Sequence, residues 1–112
     1  MEHWTTQACF LFASLLSAAG AATVRPATDA EYRSIRETLK AQYANGGTAK
    51  LREVVVGQDK GQPSGKVQHV CGYANTTRFY GTVSKKDDGK PYVTILGTEE
   101  IADTMCAEKL GI

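Results

Sequence analysis

Two cysteines set the terms for this chain. Cys71 and Cys106 lie in its polar body, while the third, Cys9, sits in an apolar run from Ala8 to Leu16. The first 22 residues, MEHWTTQACFLFASLLSAAGAA, contain no lysine or arginine and pass from that run into small side chains. This is the layout of a secretory signal peptide, although Glu2 and His3 stand where a basic segment is usual. Signal peptidase needs small residues three and one positions before the cut, and Ala19-Gly20-Ala21 and Gly20-Ala21-Ala22 both qualify. The expected organisation is a signal peptide over 1–22, then one domain over 23–112, with cleavage leaving Ala22 or Thr23 as the first residue of the mature chain. Spanning roughly 30 Å of hydrocarbon takes about 20 apolar residues, so a stable membrane span is not expected. The competing reading is an amino-terminal core helix in an intracellular protein.

Export leaves Cys71 and Cys106 as an even pair in a small domain, which reads first as a disulfide. Closing a loop of about 36 residues stabilises a fold by roughly 3.5 to 4 kcal/mol in the chain-entropy model, against a total of about 5 to 10. No CxxC pair is present to lower a thiol pKa. A zinc site needs three or four ligands, and the mature chain offers only His69, Cys71, Cys106 and scattered carboxylates, so neither a metal nor a cofactor is expected. His69 and Cys71, two apart on a strand, would share a face as a metal or nucleophile pair, but the bridge competes for the same sulfur.

Of the 112 residues, 13 are Lys or Arg and 12 are Asp or Glu, for a net charge of +1. Loss of the leader removes only Glu2 and brings this to +2. Such a field does not recruit nucleic acid or anionic lipid by charge alone.

Thr28-Asp29-Ala30-Glu31 has capping-box spacing, and Tyr32, Ile35, Leu39 and Tyr43 follow as one apolar stripe, so a helix is expected from Thr28 until Asn45-Gly46-Gly47. Leu51 to Val56, Lys66 to Ala74, Arg78 to Ser84 and Tyr92 to Leu96 read as strands, the last two joined by a turn around Asp88-Gly89. Alternation puts Val67, His69, Cys71 and Tyr73 on one face. Thr98 is the expected N-cap of a second helix closed by Lys109 and Gly111. The fold class is α+β, a small antiparallel sheet of about four strands packed by an N-terminal and a C-terminal helix (αββββα), with one Cys71–Cys106 disulfide. Asn75-Thr76-Thr77 also matches the N-glycosylation pattern.

The run Gly65-Lys-Val-Gln-His-Val-Cys-Gly-Tyr-Ala-Asn75, followed by Arg78-Phe79-Tyr80-Gly81, resembles small exported bacterial proteins of unknown function that carry a V-C-G-x-x-N strand motif. The resemblance implies export and a helix and strand before the motif, and it implies no activity.

No catalytic constellation stands out. Glu99-Glu100 and Asp87-Asp88 are explained as a helix start and a turn, and Ser64 and His69 have no flanking motif for a nucleophile pair. The expected function is a non-catalytic binding module, secreted or periplasmic, acting on a protein partner as an inhibitor or accessory protein of the cell envelope. The alternative is a secreted virulence effector or structural envelope protein, and an exported hydrolase is the weakest reading. Arg78, Tyr80 and Tyr92 are the candidate partner-binding residues, chosen as an aromatic and basic cluster. The competing explanation for them is a sheet core with one solvated face.

Overall fold

In a computed structural model, residues 24–62 and 67–112 are described; the expected leader, its expected cleavage site and Ser64 lie outside the described residues. Branched and aromatic side chains at every second position build one antiparallel sheet of five strands in sequence order: β1 (Val24–Pro26), β2 (Leu51–Gln58), β3 (Gln68–Ala74), β4 (Thr77–Lys85) and β5 (Pro91–Thr98). Five strands replace the expected four because β1, three residues ending in proline, is too short to show alternation; it pairs with β2 at Val24↔Gly57 and Pro26↔Val55. Helix α1 (Asp29–Gln42) precedes β2, and helix α2 (Glu100–Leu110) ends the fold.

The two helices cover opposite faces, so neither face is left to solvent as a whole, contrary to the competing explanation for the aromatic and basic residues. On one face Ile35 and Leu39 of α1 pack on Val54, Val56, Val70, Phe79, Val93 and Ile95. On the other, Ala102, Cys106 and Leu110 of α2 pack on Cys71 and Tyr80. The Cys71–Cys106 bridge, with a Cα separation of 6.1 Å, ties α2 to β3, the middle strand.

The capping box forms as the spacing requires: Thr28 Oγ1 accepts from the Glu31 amide at 3.2 Å, and a Glu31 carboxylate oxygen accepts from the Thr28 amide at 2.8 Å. Glu31 also takes a two-pronged ion pair from Arg25 of β1 at 2.7 and 2.8 Å, which holds its carboxyl below the usual range and anchors the first strand to the helix. The other end of α1 departs from expectation. Its C-cap is Tyr43 in extended backbone, followed by a 3-10 turn over Gly46–Thr48. Neither Gly46 nor Gly47 has positive φ; a Cβ on Gly46 would collide with the Leu39 carbonyl, so the glycine allows close approach.

Ser34 and Thr38, four residues apart on α1, reach the outer margin of β5. Ser34 Oγ accepts from the Val93 amide at 2.8 Å, and Thr38 Oγ1 donates to the Val93 carbonyl at 2.8 Å. Ser34 is buried, so Ser34→Ala strands the Val93 N–H away from water. The expected loss is about 1–3 kcal/mol of unfolding free energy in urea titration. A loss below about 0.5 kcal/mol would mean that water replaces the hydroxyl.

Candidate functional site

Chemistry-bearing side chains gather mainly at the end of the sheet where the β3–β4 hairpin turns. Ala74 pairs directly with Thr77, so the turn is Asn75-Thr76, with Asn75 at φ 57°. Asn75 is exposed, and its Oδ1 accepts from the Lys50 amide at 3.0 Å, which fastens the hairpin to the entry of β2.

On the α2 side of this hairpin the register aligns Arg52, Tyr73 and Arg78 across β2, β3 and β4. The Arg52 guanidinium lies 4.3 Å from the centre of the Tyr73 ring, and that of Arg78 lies 5.4 Å from it. Cations over an aromatic face are attracted by its quadrupole. Arg52 donates to Glu53 at 3.0 Å and to the Asn75 carbonyl at 3.3 Å. Arg78 meets Asp103 of α2 only at 3.8 Å, and its Nε is buried with no hydrogen-bond partner among the described residues.

The sequence-derived candidates separate. Arg78 belongs to this ladder. Tyr80, offered as an exposed contact, is corrected: it is 2% exposed and packs beneath α2 with the disulfide. Tyr92 is 45% exposed, but it pairs with Ser84, six residues along β4 from Arg78, so the two stand about 20 Å apart. Its neighbour is Lys86, whose Nζ lies 5.3 Å from the ring centre. The residues that reasoning missed are Arg52 as the second cation and Tyr73 as the centre. Pairing would have found them only with the register, which a bulge between Arg52 and Val55 shifts.

Tyr80 instead holds His69. Their Nδ1 and Oη lie 2.7 Å apart, with ring planes 18° from parallel. With Cys71 and Cys106 in the bridge, no thiol among the described residues is left to pair with His69. Burial is the main cause that pushes the imidazole below its ordinary pKa of 6.5 and the phenol above its own; the Asp59 carboxylate, in an ion pair with Lys109 at 3.3 Å, partly opposes the shift at His69. An unfolded histidine therefore takes up a proton at higher pH than the folded one. Stability is fully present above about pH 6.5 and falls as pH drops through the window below it. Urea midpoints at pH 7.5 and pH 5.5 should fall with acid in the wild type and change less in His69→Gln; equal slopes would remove His69 from this account.

On the α1 side of the same hairpin lies a groove of about 340 Å3. Its floor is Leu39, Ala49, Ala74 and Phe79, and its rim carries Tyr43, Asn45, Asn75 and Glu99. Asn45 and Glu99 both occupy N-cap positions, yet neither side chain caps the turn or helix that it precedes. Glu99, not Thr98, is the N-cap of α2, at φ 59° and ψ −123°, a correction to the sequence reading. A wider recess at the other end of the sheet holds Arg25 and Glu31, but those two are engaged with each other.

No family model, curated protein or solved structure matches this chain. Function is therefore argued from its own side chains. Among the described residues no three His, Cys, Asp or Glu side chains converge as metal ligands, and no helix is long and apolar enough to cross a membrane.

Proposed function

We propose that the protein is an exported, non-catalytic binding module that recognises a protein of the cell envelope as an inhibitor or accessory factor. The disulfide and the signal-like leader support export, since such bridges persist in oxidising compartments. The observation that carries the binding role is the Arg52–Tyr73–Arg78 ladder, partly open at the hairpin end of the sheet. Tyrosine and arginine dominate the energetic centres of protein interfaces, because each combines apolar area with directed polar groups. Arg52 and Arg78 clamp the Tyr73 ring in the free protein, so little side-chain freedom is left to lose on association.

The test is capture from detergent-solubilised envelope extract on immobilised mature protein, wild type beside Tyr73→Ala and Arg52→Ala, with thermal melts confirming that both variants fold. A discrete protein retained by the wild type and lost from both variants is expected. Retention unchanged by either substitution, or no retained protein, overturns the reading. A partner drawn from host-cell lysate and not from the envelope would move the assignment to a secreted effector.

A further inference from the structure

Glu99 is in a backbone conformation that its side chain does not explain. The pair φ 59°, ψ −123° is that of the first central residue of a type II′ turn, where glycine is the residue without steric penalty. Any residue with a Cβ is strained there, and a residue at an N-cap ordinarily compensates by accepting a hydrogen bond from the first helical turn. Glu99 makes no such bond. It is exposed, and it lines the groove between the end of α1 and the β3–β4 hairpin.

Three further features of that groove bear on what it accepts. Glu99 is the one charged residue among the described residues that line it. The floor of Leu39, Ala49, Ala74 and Phe79 is apolar, and Tyr43, 43% exposed, stands at the rim. Asn45, a second N-cap residue with a side chain free of capping duty, supplies an amide beside them. An aliphatic chain ending in a cation matches all three: the stem covers apolar surface, while the head meets a carboxylate and an aromatic ring.

We infer that this groove is a receptor for a lysine or arginine side chain of the partner protein, with Glu99 as the counter-charge. The inference rests on the binding-module reading and names the chemistry of the partner on the face opposite the Arg52–Tyr73–Arg78 ladder. Together the two faces let the partner straddle the hairpin, presenting a basic side chain to one face and packing on Tyr73 at the other.

The groove is tested without the partner. Uniformly 15N-labelled mature protein is titrated with N-acetyl-lysine methylamide and N-acetyl-arginine methylamide, beside the norleucine and glutamate analogues. Saturable shifts are expected at the amides of Gly46, Asn75, Thr98 and Glu99 with the two cations alone. Glu99→Gln should weaken the response about five-fold or more, whereas Glu108→Gln, at an exposed acid outside the groove, should leave it unchanged. Glu99→Gly separates binding from folding: relief of the strained backbone should raise the thermal midpoint while the cation response is lost. Absence of saturable shifts, equal shifts with norleucine, or a response that survives Glu99→Gln overturns the inference. A cation response together with failed envelope capture keeps the groove assignment and discards the protein-partner reading, so the two failures are distinct.

Discussion

Replacing Cys71 and Cys106 together by alanine is expected to lower the unfolding free energy by about 3.5–4 kcal/mol, the loop-closure value for a bridge with 35 residues of separation. A domain of this size has about 5–10 kcal/mol in all, so the urea midpoint should fall by roughly half. The closed loop contains β3 from Cys71 onward, all of β4 and β5, and α2 as far as Cys106. Its opening therefore frees α2 from the sheet while α1 keeps its own apolar face. Both sulfurs are fully buried, so alanine also leaves small voids among Tyr80, Ala102 and Leu110, which adds to the loss. Trp4, the one tryptophan, lies in the segment expected to be removed as a leader, so far-UV circular dichroism is the suitable probe. A loss under about 1 kcal/mol would show that packing alone holds α2 in place.

Phe79→Ala is expected to be as damaging, at about 3–5 kcal/mol, for a different reason. Phe79 is 1% exposed and heads the fully buried side chains by volume. Its ring lies over Gly72 on the neighbouring strand, where a Cβ would come within 2.9 Å of both the ring and Val54 Cγ2. The bare glycine makes space that the ring fills together with Val54 Cγ2. Deleting the ring leaves a void with the Gly72 backbone on one side, where no side chain can move in to fill it, and this places the loss toward the upper end of the range. The same ring floors the groove, so Phe79→Leu should keep most of the stability yet alter the shifts that the capped cations produce. Urea denaturation of both variants checks the order: a leucine variant as unstable as the alanine one would contradict it.

The elements that were legible in the sequence are those whose signal is local. The Thr28 capping box, the Asp88-Gly89 turn with Gly89 at φ 82°, and the alternation through Val70, Cys71 and Gly72 each depend on a few adjacent residues, and each formed as expected. The disulfide was legible by counting. What escaped depends on pairing across the sheet. The three residues of β1 carry no period, and β2 gives them a partner. Tyr80 follows Arg78 by two, which suggested a shared exposed cluster. Both do share a face, but α2 covers Tyr80 and leaves Arg78 near its margin, a distinction that only the placement of the helix decides. The groove was illegible for a related reason: Asn45, Asn75 and Glu99 come from three separate turns, and each alone reads as ordinary loop chemistry.

The hydroxyls of Ser34 and Thr38 reach beyond stability to the kind of recognition open to this molecule. A bare margin of β5 would accept the backbone of any extended chain, whatever its sequence, and would serve equally for a ligand or for the first step toward a fibril. With the Val93 amide and carbonyl both taken, an incoming strand finds no matching pair of groups at the middle of that margin. Indiscriminate zippering is blocked there, so affinity at that margin must come from side chains that fit, and a second copy finds no template for its backbone at the middle of β5.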